Sequence, residues 1–194
     1  MTSMETNCSR HCSFAIDDSE LTQWLIDNGA NIDVRSSLDE PVIANAIAHG
    51  SMSVVRLLLA HGPDLKHGNL LDCAAERSNH VEGAVLMTLL DPDSTDVNAY
   101  RYNNPIARDL RGMSKLFTAL HIACLRQNVP VARALLQYGA EPDCMAFEAG
   151  RLVPPTARGI PLGTDNPKLQ ELFVNEDETK QVKVMERNGL RDAE

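Results

Sequence analysis

Thr118–Asp143 reads TALHIACLRQNVPVARALLQYGAEPD, and this stretch decides between two kinds of protein. His121 and Cys124 stand three residues apart in an apolar run, one helical turn on a similar face. That spacing suits a metal clip or a reactive pair, and it suits a buried helix face equally well. The residues after Cys124 favour the buried face. A second apolar stretch, Val131–Gln137, closes on Gly139, where glycine supplies the left-handed conformation that ends helices.

The same closure recurs along the chain. LTQWLIDNGANID (Leu21–Asp33) and VVRLLLAHGPDL (Val54–Leu65) resemble VARALLQYGAEPD (Val131–Asp143). Gly29 and Gly62 lie 33 residues apart, a period that marks repeat arrays. A shorter apolar segment precedes the later units: PVIANAIAHG (Pro41–Gly50), LLDCAAERSN (Leu70–Asn79) and TALHIACLRQ (Thr118–Gln127). Gly50 to Gly62 and Gln127 to Gly139 are both 12 residues, so the two-helix unit keeps its length. The unit at Val85–Ala99 lacks the closing glycine and carries Asp91-Pro92-Asp93 instead.

These features resemble the ankyrin-repeat family, whose unit is a β-turn followed by two antiparallel helices, opened by T-P-L-H-x-A. Thr118-Ala119-Leu120-His121-Ile122-Ala123 matches that signature with Ala119 in place of proline. The second unit reads Pro41-Val42-Ile43-Ala44 at this place and the third reads Asn69-Leu70-Leu71-Asp72, so neither carries the histidine. The resemblance implies an all-α ankyrin-repeat α-solenoid of four to five helix-turn-helix units with degenerate terminal caps. Residues 1–13 are expected to form a polar N-terminal segment, 14–174 the repeat domain, and 175–194 a polar tail. An insertion is expected at about 100–117, where the pattern pauses before Thr118. The proline-containing stretch after Cys144 reads as a degenerate capping repeat, with NPKLQELF as a last short helix.

Composition agrees with close-packed helices. Hydrophobic residues make up 43% of the 194 and aromatics only 4%, so Leu, Ala, Val and Ile must fill the interior. The formal charge of −9 comes without a basic stripe that could follow successive phosphates, which argues against nucleic acid. No apolar run approaches the roughly 20 residues that span a bilayer, and the start lacks the order of a secretory signal. A cytoplasmic or nuclear monomer, not bound to membrane, is the expectation.

Five cysteines at uneven spacing make a poor disulfide framework, and reduced thiols are expected. Cys8, His11 and Cys12 are the nearest approach to a ligand cluster, but no second pair accompanies them, so no metal is assigned. No Gly-x-Ser-x-Gly elbow, phosphate loop or HExxH helix occurs, and neither a cofactor nor a catalytic residue is assigned. His49 and His61 precede glycines at helix ends and read as caps. Trp24 is expected to pack in the core or at its edge, with an exposed partner anchor as the alternative.

The resemblance makes His121 structural, tying one turn to the next, along with Gly29, Gly62 and Gly139. It also implies a protein–protein interaction module, a scaffold, adaptor or regulator, that binds a partner through its concave face and turn tips. The tip at Tyr100–Asn104 holds Tyr100, Arg101 and Tyr102, residue types that dominate interface hot spots, and Arg108 and Arg111 come soon after. These five are the expected partner-binding residues. The competing reading is a small enzyme or ligand-binding protein on an adapted ankyrin scaffold, with acid and base residues meeting in the groove.

Overall fold

A computed structural model describes residues 15–36, 38–66, 68–77, 83–90, 96–103 and 115–174. The expected segments 1–13 and 175–194 lie outside these residues, as do Cys8, His11, Cys12, Arg108 and Arg111 and most of the expected insertion.

The described chain is built from short helices, each started by a polar side chain or a turn and stopped by a loop. Asp18 accepts from the backbone N–H of Glu20 and Leu21, both at 3.0 Å, and starts α1 (Ser19–Asp27). After α2 (Val42–His49), Ser51 accepts from Val54 N–H at 3.3 Å to open α3 (Met52–Ala60). Next come α4 (Leu70–Glu76), α5 (Gly83–Leu89) and α6 (Ala119–Leu125). Asn128 caps α7 (Val129–Gln137), where Pro130 sits in the first turn, a place that has no backbone donor to lose. Gly29, Gly62 and Gly139 adopt φ of +84°, +66° and +88°, as the recurring closure requires. After α1 and α7 the chain turns back in the same way: Ala30 N–H donates to Leu25 C=O and Ala140 N–H to Leu135 C=O.

The helices stack in two rows. α2 packs on α4 and α4 on α6, while α3 and α7 lie against α2 and α6 of their own units, α5 lies against α4, and α1 lies against α3. Ala44, Ala46, Ala74, Ala75, Ala123 and Ala132 are all at most 1% exposed, and their small side chains let the helix axes approach. Ile43, Ile47, Leu58, Leu120 and Leu135 fill the space between. Burying each such side chain contributes roughly 1.5–3 kcal/mol.

Polar side chains tie one unit to the next. Asp33 accepts from Asp64 N–H at 2.9 Å, and Asn98 accepts from Glu141 N–H at 2.8 Å. The buried Arg77 guanidinium donates to the carbonyls of Ile47 and Gly50, both at 2.8 Å, which would otherwise be orphaned at the end of α2.

The fold is a helical repeat, but it is not all-α. β1 (Met145–Glu148) and β2 (Arg151–Thr156) form an antiparallel hairpin, a correction to the expected purely helical cap. Its two turn residues, Ala149 and Gly150, have φ of +49° and +83°, the handedness that matches the twist of paired strands. The prolines at 154 and 155 sit where the register shifts, so they interrupt no regular ladder. Leu116 and Phe147 exchange backbone hydrogen bonds of 2.7 and 3.0 Å, joining the hairpin to the segment before α6. The expected last helix is present as α8, at 167–174, and buries Leu169 and Phe173 against the core.

Candidate functional site

The segment Tyr100–Asn103 lies across the openings of α4 and α6. Tyr100 bridges Thr118, and Arg101 N–H donates to Phe117 C=O at 2.9 Å, which fixes the direction of the side chains. The Tyr100 hydroxyl donates to Met145 C=O at 2.7 Å, and its ring lies 5.9 Å from that of Phe147. Arg101 pairs with Glu76 and approaches Glu40 at 3.9 Å, with its guanidinium 4.7 Å above the Tyr102 ring. Tyr102 is 6% exposed, and its hydroxyl donates to Glu40 at 2.8 Å.

The expected partner-binding tip is therefore largely turned inward. Tyr102 is buried and Tyr100 half-buried, because Glu40, Glu76 and Met145 offer their polar ends partners within the chain. What the tip builds instead is the wall of a pocket of about 400 Å³. Arg101 and Tyr102 line it together with Lys115, Leu116 and Phe117, with Ile122, Leu125 and Arg126 from the α6 end of the repeat, and with Glu76 from the end of α4. Glu76 receives both Arg101 and Arg126, the latter at 3.0 Å. Burial alone would raise the Glu76 carboxyl, but the two guanidiniums outweigh it and hold the group below its usual range.

Sequence reasoning missed Leu125, Arg126, Phe117 and Lys115. The available signal was the helical register: Ile122 and Leu125 share a face of α6, and Leu125 remains 51% exposed where the preceding residues Ala119–Cys124 are buried. Trp24 also departs from expectation. It is 59% exposed, because Thr22 and Leu25 take the buried face of α1 and Trp24 falls between them.

A second pocket, of about 330 Å³, has Tyr100 in its lining. Asp39, Asp72, Asp96 and Lys66 are its charged lining. Neither pocket is lined by a histidine.

His121 is fully buried. Thr118 N–H lies 3.4 Å from its Nδ1 and can only donate, and Pro155 C=O lies 3.3 Å from its Nε2 and can only accept. These partners fix the neutral tautomer with the proton on Nε2. Burial lowers the imidazole below its ordinary value, against the pull of the Pro155 and Cys144 backbone. Cys124 is also fully buried, and burial pushes its thiol up to about 12, leaving it an apolar packing group. His61 reaches the Leu57 carbonyl at 2.9 Å at the end of α3, a capping contact. Among the described residues no group of three His, Cys, Asp or Glu converges as a metal site, and no helix is long and apolar enough to cross a membrane.

A family model for the ankyrin repeat matches residues 115–146, and one for ankyrin repeats in many copies matches residues 17–59. The chain carries ankyrin repeats. None of the curated proteins compared with it matches. The 115–146 match spans the α6 side of the pocket, so this part of the site stands on an ankyrin repeat, whereas α4 lies outside both matched segments. Ankyrin repeats generally mediate protein–protein interaction.

Proposed function

We propose that the chain is a protein-binding module that acts as an adaptor or regulator and receives its partner at the pocket between α4, α6 and the Tyr100–Asn103 segment. The observation that carries this reading is the pocket itself. It lies on the side made by the first helices and turn tips, is open at Leu125, and has walls already held by the Arg101–Glu76 and Tyr102–Glu40 contacts. A preformed wall of this kind avoids part of the ordering cost of association.

The array comprises four to five units within residues 14–174, with the hairpin and α8 closing one end as a cap that shields Leu169 and Phe173. It works as a monomer in the cytoplasm or nucleus, on a protein and not on nucleic acid or membrane. Affinity capture from the native cell tests the reading with the full chain and its Leu125→Asp variant. Partners should be recovered with the wild-type chain and lost with the variant at an unchanged melting temperature. Equal recovery of the same partners with both would place the binding surface elsewhere.

The enzyme reading requires a histidine and a carboxylate converging in a cleft. Neither pocket supplies that pair, and the buried, hydrogen-bonded state of His121 supports a structural role for it.

A further inference from the structure

The pocket beside α6 carries charge of opposite sign to the chain as a whole. The protein is −9, yet the lining holds three cations, Arg101, Lys115 and Arg126, against one anion, Glu76, a local balance of 3 − 1 = +2. Counting Glu40, which approaches Arg101 from outside the lining, the balance is still 3 − 2 = +1. Lys115 Nζ donates to the Pro154 carbonyl at 3.1 Å, a neutral group that orients the ammonium without neutralising it. The Arg126 side chain shares Glu76 with Arg101 and remains 57% exposed. Between these cations the surface is apolar: Leu116 and Ile122 are each 8% exposed and form a floor, with Phe117 half-buried and Leu125 at the rim.

Resting on the binding-module reading, we infer that the pocket takes one bulky apolar side chain of a partner peptide, an aromatic or leucine, with a carboxylate beside it in sequence that pairs with Arg126 and Lys115. The volume of about 400 Å³ suits such an anchor and lies at the lower end of the usual range for ligand pockets. A lone apolar group would leave the pocket's excess positive charge unmatched, since Glu76 is shared by two guanidiniums and Lys115 meets only a neutral carbonyl, and a carboxylate next to the anchor balances it. A polyanion is disfavoured, since two accessible cations on a body of −9 cannot neutralise a run of phosphates. The second pocket, with Asp39 and Asp96 against Lys66, also disfavours a uniformly acidic peptide. The carboxylate therefore belongs on the α6 side of the anchor.

Selection from a displayed random-peptide library against the full chain tests this, with enriched peptides synthesised and measured by fluorescence anisotropy at low and high salt. Enriched peptides should place Phe, Tyr, Trp or Leu next to Asp or Glu, and bind more weakly at high salt. Leu125→Asp should weaken them about tenfold or more. Arg126→Glu should weaken them similarly and favour the peptide whose acidic residue is changed to Lys. Both positions are exposed, and circular dichroism melting checks that the variants fold. Peptides that are lost in Leu125→Asp but carry no acidic residue, or that ignore Arg126→Glu, overturn the carboxylate chemistry and leave the binding-module reading standing. Peptides that bind both variants undiminished overturn the pocket as the site altogether. Enrichment of no peptide also overturns the inference, while recovery of a folded partner protein that is sensitive to Leu125→Asp would still support the broader reading.

Discussion

Thr118–His121 and Asn69–Asp72 open the neighbouring inner helices α6 and α4, and each places its fourth residue in a buried position. His121 is fully buried and meets Thr118 on one ring nitrogen and Pro155 on the other. Asp72 is 4% exposed, and its Oδ1 has no hydrogen-bond partner among the described residues. Burial pushes the Asp72 carboxyl up to about 8, although the Arg101 charge pulls it down. The backbones differ as well: Thr118 is extended at φ −84°, whereas Asn69 is left-handed at φ +50°. A repeat position thus fixes burial, and chemistry depends on whether a neighbouring loop supplies partners. At α6 the hairpin supplies Pro155. At α4 nothing described meets Oδ1.

The largest expected effect falls on the satisfied side of this comparison. His121→Ala leaves the Thr118 N–H and the Pro155 carbonyl without their partner and opens a cavity. It should cost about 2–4 kcal/mol of stability at neutral pH, read by denaturant unfolding. A loss well under 1 kcal/mol would mean that the two loops hold each other without the imidazole. The pH profile gives the sign of its role. The folded pKa lies below the ordinary 6.5, so the unfolded chain binds more protons just below that value, and stability should fall as pH drops through it.

Asp72 predicts the opposite slope. Its folded pKa of about 8 lies above the ordinary 3.8, so the folded chain holds the extra proton between these values, and stability falls as pH rises through that window. Asp72→Asn removes the ionisation but keeps the shape. It should therefore stabilise the chain by about 1–3 kcal/mol near pH 8, with little change near pH 4. The same gain at both ends of the range would show that packing, not charge, separates the two helix starts.

The same contrast marks what the sequence could disclose. Glycine closure and the Thr-Ala-Leu-His start are local signals, and they located α1, α3, α6 and α7 because helix ends are determined by residues within a turn of each other. The inward turn of Tyr102 depends on Glu40, 62 residues away, and that of Arg101 on Glu76, 25 away. No spacing rule within Tyr100–Asn104 encodes those partners, so residue types suited to an interface say nothing of the contacts they make within the chain. The hairpin was hidden by its own prolines, which argue against a strand unless the register shift is known. Leu125 and Trp24 were closer to legible, since each lies outside the most buried positions of its helix, but large apolar side chains are ordinarily inside.

Exchanging residues between the two starts sharpens the comparison further. Asn69→Thr installs the residue found at position 118, and simple repeat logic expects it to help. At φ +50° a β-branched side chain is strained, and the change also removes the Asn69 Oδ1 that accepts from Tyr102 N–H at 3.4 Å. A loss of about 1–2 kcal/mol is expected. Asn69→Gly, which removes the strain but also the acceptor, should cost less than the threonine change. If threonine proves the better residue, the left-handed start is not what distinguishes α4.

The smallest expected effect concerns the hydroxyl that links this start to the second unit. Tyr102 N–H meets Asn69 at the opening of α4, and its hydroxyl donates to Glu40, just ahead of α2, at 2.8 Å. Tyr102→Phe keeps the buried ring under the Arg101 guanidinium and removes the hydroxyl with its bond to Glu40, so about 0.5–1.5 kcal/mol should be lost. Glu40 would then be free to move closer to Arg101, now 3.9 Å away, and offset part of the loss. A double-mutant cycle with Glu40→Gln separates the two contributions. A coupling energy near zero would show that Tyr102 is held by packing alone. A clear coupling would show that the second and third units are joined through this polar contact as well as through the apolar packing of α2 on α4.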